Sequence, residues 1–262
     1  MKDTYYKDHW TDIESERFER YKQMFEWSED SRPLLEPAGI STGERVVEIG
    51  CGPGFTACEI ANWVGPSGHV DGIDVNAGFI DFGRALVKER SLENSVNFHH
   101  VTNSILPFPD QKIDCVIAKN VFLYVDDPIA TYKECHRILK PGGRVHVVEG
   151  DWGLLFAEPV PENDWKEFID AASIAFRTPT IGRRLYGYAR AAGFEDISVS
   201  TVGMLDTTGR FLPMVQNLCS YARQSNTLDE KKIDAVLKTC EEAAKTHELL
   251  IYSPQFLVTA IR

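Results

Sequence analysis

A glycine-rich run near the start of the chain is the first candidate for chemistry. Residues 46–55 read VVEIGCGPGF, so glycine recurs at every second position after an apolar stretch. Glycine has no Cβ atom, and a ligand can therefore lie directly against the backbone of such a loop. A glycine-rich turn between a strand and a helix binds nucleotides in parallel α/β sheets. The run predicts a ligand cradle formed by Glu48, Gly50, Cys51 and Gly52.

A second acidic residue follows at the distance that a nucleotide-binding unit requires. Residues 69–75 read HVDGIDV, a second strand that ends in Asp74 and is followed by Val75. Asp74 stands about 20 residues beyond the glycines, the spacing at which a carboxylate at the end of the second strand reaches ribose hydroxyls. The sequence therefore predicts that Asp74 contacts the ribose of a nucleotide-like ligand.

The spacing of the glycines helps to identify the class of ligand. In the dinucleotide fingerprint G-x-G-x-x-G, the third glycine would fall at Phe55, so the pattern fails here. The chain also has no Tyr-x-x-x-Lys pair. A nicotinamide-dependent oxidoreductase stays as an alternative, because it shares the strand, the glycine turn and the second-strand acid.

The pattern E-x-G-x-G-x-G at residues 48–54 resembles motif I of the class I S-adenosylmethionine (SAM)-dependent methyltransferases. Further segments match that family in order: LPFPD at 106–110, IDCVIAKN at 113–120, LKPGG at 139–143 and AAGF at 191–194. The resemblance spans roughly residues 43–201 and is closest to small-molecule enzymes similar to the ubiquinone/menaquinone methyltransferases. It implies SAM as methyl donor, S-adenosylhomocysteine as product and a small molecule as acceptor. A non-catalytic SAM-binding partner subunit is a further alternative.

The resemblance also assigns residues to the cofactor. The glycine loop would carry the methionine end, and Glu48 would organise that pocket. The family's adenine-contacting Asp is replaced here by Thr102, so Thr102 or Asn103 would make that contact through a hydroxyl or an amide. An N-terminal tyrosine often closes the pocket in related enzymes, which suggests Tyr6. The implied cofactor site comprises Tyr6, Glu48, Gly50, Cys51, Gly52, Asp74, Val75, Thr102, Asn103, Ser104, Lys119 and Asn120.

Methyl transfer from a sulfonium is an in-line displacement, so the acceptor atom must be held within about 3.5 Å of the methyl carbon. Positioning can supply much of the catalysis, and a general base adds about 10²–10⁴-fold where the acceptor carries a proton of high pKa. Candidates on the acceptor side are Tyr124, Glu149, Asp151 and His9. The alternatives are that Tyr124 only packs in the core, that Glu149 and Asp151 lie at a solvated strand end, and that His9 is a surface histidine.

Metal catalysis is not predicted. His99 and His100 are adjacent in a predicted strand, so their side chains point to opposite faces. Metal-dependent catechol-type methyltransferases need a carboxylate after the fourth strand, where this chain has Lys119 and Asn120.

Composition limits the partners. The 262 residues carry a formal net charge of −11, without a basic cluster, which argues against nucleic-acid binding. The six cysteines form no C-x-x-C pair, the N-terminus lacks an apolar signal region, and no apolar stretch approaches about 18 residues. We therefore expect a cytoplasmic protein without a membrane span.

Alternating strand and helix patterns from 44 to 150 predict a Rossmann-like, seven-stranded, mostly parallel sheet with helices on both faces. Residues 1–42 are predicted to form a helical and aromatic lid, since disordered termini are poor in aromatic residues. Residues 43–204 and 251–262 would form the SAM-binding core. Residues 205–250 would form a helical cap over the carboxyl ends of the strands, where ligands bind in such sheets. The cap and the aromatic N-terminus could form a homodimer interface as well as the walls of a ligand pocket.

Overall fold

The computed structural model describes residues 4–262 and contains one mixed sheet with helices on both faces. The strands are β1 (Arg45–Ile49), β2 (His69–Asp74), β3 (Val96–His100), β4 (Ile113–Lys119), β5 (Leu139–Gly150), β6 (Phe156–Glu158), β7 (Glu195–Asp206) and β8 (Leu250–Ile261). The helices are α1 (Tyr5–Thr11), α2 (Ser15–Phe25), α3 (Arg32–Leu35), α4 (Phe55–Val64), α5 (Ala77–Glu89), α6 (Pro128–Ile138), α7 (Glu162–Ala172), α8 (Leu185–Ala191), α9 (Leu212–Ser225) and α10 (Glu230–Thr246).

The strand order is β3-β2-β1-β4-β5-β8-β6, with β7 paired to the other edge of β8. The first five strands in this order are parallel, and β8 runs antiparallel to its three neighbours. This agrees with the predicted Rossmann-like class, but the sheet has eight strands rather than seven. The additional strand β6 forms because β8 extends past the end of β5, and Phe156–Glu158 pairs with the part that β5 leaves free.

Side-chain alternation along the central strands divides the core into two layers. Val47 and Val116 pack with helices α6–α10, whereas Val46 and Cys115 pack with α3, α4 and α5. Because successive residues of a strand point to opposite faces, the apolar runs of β1 and β4 bury both sides of the sheet. The carboxyl ends of β1, β2, β4 and β5 therefore meet along one edge of the sheet, where loops can converge.

The ring of Phe98 fixes how the glycine loop and α5 approach β2. A Cβ atom at Gly72 would lie 2.6 Å from Phe98 Cε1, and one at Gly83 would lie 3.0 Å from Phe98 Cε2. A Cβ atom at Gly54 would collide with the same ring. The third glycine of the loop is therefore required for packing, because Phe98 occupies the space that any larger residue would need.

Two helical segments lie outside the sheet and its immediate helices. The N-terminal segment forms α1 and α2. Residues 205–250 contain α9 and α10. The segments are joined by the Tyr21 and Tyr221 hydroxyls, which lie 2.8 Å apart. Within residues 4–262, no helix combines the length and the apolar composition needed to cross a membrane.

Candidate active site

The glycine loop connects β1 to α4 and is tied to the end of β2. Gly50 and Gly52 have φ values of 66° and 52°, in the left-handed region that favours glycine. The backbone N–H of Cys51 donates to the Ile73 carbonyl oxygen at 3.0 Å, and the Cys51 side chain is buried. A Cβ atom at Gly50 would collide with Val121. The loop is thus held in a fixed conformation, with bare glycine backbone at Gly50 and Gly52, beside the carboxyl ends of β2 and β4.

Asp74 joins the second strand to this loop. Its Oδ2 accepts a hydrogen bond from the Gly52 N–H at 2.8 Å, and its Oδ1 accepts one from the Asn76 N–H at 2.8 Å. Burial raises the pKa of this carboxyl above its usual range. Each carboxylate oxygen has further lone pairs, so Asp74 can still accept hydrogen bonds from two hydroxyls. This geometry fits a ribose that lies against the glycine loop.

Glu48 lies at the base of the same loop. Its side chain is buried, and its Oε2 has no hydrogen-bond partner among the described residues. Burial raises the pKa of Glu48 and lowers that of Lys119, whose charge acts on the Glu48 carboxyl. A buried carboxylate oxygen without a partner is costly unless a donor reaches it. Glu48 therefore fits a ligand with a charged donor group, such as the amino group of a methionine moiety.

The predicted adenine segment is an exposed loop. The Val101 N–H donates to the Asp74 carbonyl oxygen at 3.0 Å, which places the start of this loop beside Asp74 and the exposed Val75. Thr102, Asn103 and Ser104 are exposed, and Asn103 Oδ1 accepts from the Ile105 N–H at 3.0 Å. Their contact with adenine stays a prediction.

Glu149 supports the loop that follows β4. Its carboxylate is fully buried, and its Oε1 accepts hydrogen bonds from Val121 N–H, at 2.6 Å, and from Phe122 N–H. Asn120, at the start of this loop, is exposed, has a φ of 57° and donates its N–H to the Val148 carbonyl oxygen at 2.9 Å. Glu149 is therefore placed to hold the loop that carries Asn120 and Tyr124.

Burial raises the pKa of Glu149 from its ordinary 4.5 to about 8. Between these values the unfolded chain releases this proton while the folded chain keeps it, so stability falls as pH rises. We expect Glu149→Gln, which resembles the protonated side chain, to match the wild type near pH 5 and to exceed it near pH 8 by about 3–4 kcal/mol. Urea unfolding at both pH values measures this difference. The exposed Glu158→Gln is the control, and equal pH dependence in Glu149→Gln and the wild type would contradict the expectation.

Asp151 is engaged by an ion pair. Its buried carboxylate accepts from Arg183 Nη2 at 2.8 Å and Nε at 2.5 Å, and also from the Gly153 N–H at 3.1 Å. These contacts occupy both carboxylate oxygens. The arrangement suits a residue that orders the turn after β5, and its predicted catalytic role stays a prediction.

The N-terminal helices lie against the glycine loop. The Trp10 carbonyl oxygen accepts from Asn76 Nδ2 at 2.8 Å, and the Phe25 ring would lie 3.5 Å from a Cβ atom at Gly52. The Tyr6 hydroxyl forms a hydrogen bond with Asp126, which lies just before α6. α1 and α2 thus cover the side of the loop next to Asp74.

Asn76 was not predicted from the sequence, although an Asn before a helix is a recognisable N-cap. Its Oδ1 accepts a hydrogen bond from the Phe79 N–H at 2.9 Å.

An aromatic cluster lies between these helices, the loops after β4 and β5, and α9. We define it as Tyr5, His9, Trp10, Tyr21, Tyr124, Trp152, Phe176 and Tyr221. The His9 ring is 5.8 Å from the Tyr124 ring and 5.3 Å from the Tyr221 ring, measured between centroids. The predicted residues His9 and Tyr124 are therefore brought together, whereas no sequence pattern indicated the contribution of Tyr21 and Phe176.

Burial lowers the pKa of His9 to about 4 and raises that of Tyr124 well above its usual range. Both side chains are neutral near pH 7 as a result. Among residues 4–262, no three His, Cys, Asp or Glu side chains are grouped as metal ligands.

Comparisons with known proteins agree with this geometry. Residues 47–147 match the family model described as a methyltransferase domain. The chain is 34% identical over 152 residues to the ubiquinone/menaquinone biosynthesis C-methyltransferase UbiE of Pseudomonas savastanoi pv. phaseolicola, covering 58% of this chain and 56% of that protein. The chain spans about half the length of the curated relatives it matches.

Solved structures share the fold. The geranyl diphosphate C-methyltransferase of Streptomyces coelicolor, solved with S-adenosylhomocysteine, superposes with a TM-score of 0.59 at 18% identity, covering 89% of this chain and 78% of that chain. The cyclase SpnF gives a TM-score of 0.57 at 22% identity, covering 88% and 80%. The family match, the strand order and the loop held by Asp74 agree: residues 47–147 match a methyltransferase domain.

Proposed function

We propose that this protein transfers a methyl group from SAM to a small-molecule acceptor. The observation that carries this proposal is Asp74, whose carboxylate joins the end of β2 to the Gly52 N–H of the glycine-rich loop. Bound SAM supplies a methyl carbon that its sulfonium makes electrophilic. Gly50 and Gly52 would lie against the methionine end, Glu48 would receive its amino group, and Asp74 would bind the ribose.

The remaining cofactor contacts are proposed from position. Val75 and residues 102–104 lie beside Asp74 and would border the adenine, while Cys51, Lys119 and Asn120 would line the floor. Residues 1–42 would act as a lid that excludes water, through Tyr6 and the aromatic residues of α1 and α2. Residues 205–250 would cap the acceptor side of the core formed by 43–204 and 251–262.

Positioning would supply most of the catalysis. Glu149 holds the loop after β4, and Asp151 with Arg183 orders the turn after β5, so both carboxylates would act by placing neighbouring groups. His9 and Tyr124 lie in the aromatic cluster, and we propose that these two side chains contact the methyl acceptor. The UbiE relatives suggest a quinone-like acceptor, and a secondary metabolite is an equally open choice.

The comparisons do not favour a nicotinamide-dependent oxidoreductase. SpnF, described as a cyclase, shows that the fold also occurs in a protein with a different activity, so the fold alone does not specify methyl transfer. Absence of nucleic-acid binding, a cytoplasmic location and a homodimer stay predictions from the sequence.

Calorimetric titration of the purified protein with S-adenosylhomocysteine, and with NADH in parallel, tests the proposal. We expect micromolar binding of S-adenosylhomocysteine and no binding of NADH. Binding of NADH alone, or of neither ligand, would contradict it. Detection of a methylated product from any acceptor by mass spectrometry would then separate an enzyme from a non-catalytic SAM-binding subunit.

A further inference from the structure

Strand β7 forms one edge of the sheet and is long for an edge strand. It spans 12 residues, whereas most strands in globular proteins have about five or six. Among residues 4–262, β8 is the one strand that pairs with β7, so the other side of β7 has no ladder partner there. The backbone N–H and C=O groups on that side are therefore free to pair with a further strand.

The middle of β7 lacks the features by which natural proteins protect an exposed edge. Residues 197–205 read ISVSTVGML, without a charged residue or a proline, and are bounded by Asp196 and Asp206. Charges, prolines and bulges are the usual means of preventing edge-to-edge pairing. The irregularity in the ladder with β8 lies between Glu195 and Ser198, so it leaves the rest of β7 regular. This charge-free stretch is open to a second strand.

The side chains of this stretch are largely open to solvent on both faces of the sheet. Val199 is 48% exposed and Leu205 is 58% exposed. Ser198, Ser200 and Thr201 are also exposed. Pairing with another strand would remove part of this apolar surface from water, which favours association.

The other edges of the sheet are short. β3 spans only Val96–His100, and Arg84 of α5 donates from Nη2 to the Phe98 carbonyl oxygen of this strand at 3.1 Å. β6 has three residues. β7 is therefore the edge best suited to pairing, and pairing with the same edge of a second copy uses it completely. Such an assembly closes at two copies.

The sequence of β7 fits a copy of itself in the antiparallel direction. When Thr201 lies opposite Thr201 of the partner subunit, residues 197–205 pair entirely with the same stretch of that subunit. Ile197 then lies opposite Leu205 of the partner subunit, so apolar side chains meet and no acid faces an acid within the stretch. Antiparallel pairing over this length gives about eight backbone hydrogen bonds between the copies.

The charge of the chain limits the strength of this contact. The net charge of −11 makes two copies repel each other at long range, and salt screens this repulsion. The paired stretch is also smaller than the roughly 20–30 residues that each side of a stable complex contributes. The contact should therefore be weak at low salt and stronger at high salt.

We propose that β7 is a dimerisation surface, which pairs antiparallel with β7 of a second copy of this chain and has Thr201 on the twofold axis. The two eight-stranded sheets then form one continuous sheet. β7 lies four strand spacings from β1, which is about 19 Å. The surface is thus separate from the glycine loop and does not rest on the proposed function.

Sedimentation velocity of the full chain at a series of protein concentrations tests this proposal. We expect an equilibrium between monomer and dimer with a dissociation constant on the order of 10–100 µM, as suits a small interface. The equilibrium should shift towards the dimer between about 50 mM and about 500 mM NaCl, because salt screens the repulsion between the acidic copies.

Thr201→Lys and Thr201→Glu test the position of the axis. Thr201 is exposed, so neither change should disturb the fold. Each variant alone places two like charges opposite each other and should weaken the dimer by about fivefold or more. An equimolar mixture of the two variants pairs opposite charges and should restore dimerisation at least to the wild-type level. Recovery of this kind requires that the residue faces itself across the interface.

Ser198→Lys and Ser198→Glu are the matched control on the same strand. Ser198 is exposed but would face Met204 of the partner subunit, which places it about 20 Å from the partner's Ser198. At that distance salt screens most of the interaction between the two charges. Each control variant should therefore dimerise within about threefold of the wild type, and mixing the two should change nothing.

Three outcomes would overturn the proposal: a wild type that stays monomeric at about 500 µM, a dimer that Thr201→Lys leaves intact, or a mixture of the two Thr201 variants without recovery. A monomeric chain that binds a synthetic peptide of residues 197–205 would show that the edge accepts a separate strand instead, which also contradicts dimerisation. If the Thr201 variants do not fold, the concentration and salt dependence of the wild type still decides. Binding of S-adenosylhomocysteine should be equal in all variants, so its loss would concern the proposed function and not this surface.

Discussion

Asp74→Ala is expected to weaken binding of S-adenosylhomocysteine by about 100-fold or more, because it removes a carboxylate that would accept two hydroxyl hydrogen bonds worth about 1.5–3 kcal/mol each. The change also leaves the Gly52 N–H without the partner it has at 2.8 Å. The loss would therefore combine a missing ligand contact with a loosened loop. Calorimetric titration of the variant and the wild type measures the difference directly.

Asp81→Ala is the matched control for this variant. Asp81 is an exposed acid on α5 that pairs with Arg84 at 3.1 Å, so its removal changes the net charge equally without touching the loop. Asp74→Asn should lie between the wild type and Asp74→Ala, since an amide keeps one acceptor. Binding by Asp74→Ala within about threefold of the wild type, less than one hydrogen bond to a charged group, would contradict the assignment of Asp74 to the ribose.

The parts of the fold that could be predicted are those that depend on residues close together in the sequence. The glycine turn, the apolar runs of β1 and β4 and the helical stripes of α9 and α10 each depend on neighbouring residues. Their type could therefore be predicted from the sequence. β6 could not be predicted in this way, because Phe156–Glu158 becomes a strand only when β8 extends past β5.

The site was less predictable wherever a role depends on distant partners. Glu149 reads as a carboxylate at a strand end, yet its contacts are with the backbone of Val121 and Phe122, 28 and 27 residues earlier. Asp151 pairs with Arg183, 32 residues later. Both carboxylates were candidates for proton transfer on sequence grounds. The fold gives each of them a hydrogen-bonding role that no local pattern contains.

His9 shows the opposite case. The sequence favours a surface histidine near a chain end, but helix α1 buries it between Tyr5, Tyr124 and Tyr221. The unusual number of aromatic residues before position 11 was the available signal, because such residues rarely stay in water together. The sequence could not indicate the contact between His9 Nδ1 and the Tyr5 carbonyl oxygen, which determines which nitrogen of the neutral ring carries the proton.

Phe98→Ala is expected to lower the free energy of unfolding by about 3–5 kcal/mol, since removal of a buried ring leaves a cavity that the core cannot fully close. Phe98 is 6% exposed, and it packs against the backbone of Gly72 and Gly83 and against the start of α4 at Gly54. The effect should lie in the upper part of that range, because glycines leave no side chains that can move into the space. Urea unfolding measures the loss.

A double-mutant cycle tests this account of the glycines. Gly72→Ala alone is expected to cost about 1–3 kcal/mol, because its Cβ atom would lie 2.6 Å from Phe98 Cε1. In the Phe98→Ala background the ring is gone, so the same alanine should cost much less, or fill part of the cavity and stabilise the chain. Phe156→Ala, at a 41% exposed ring, is the control and should change stability by about 1 kcal/mol or less. If Gly72→Ala costs the same in both backgrounds, the glycine is needed for its backbone and not for the ring beside it.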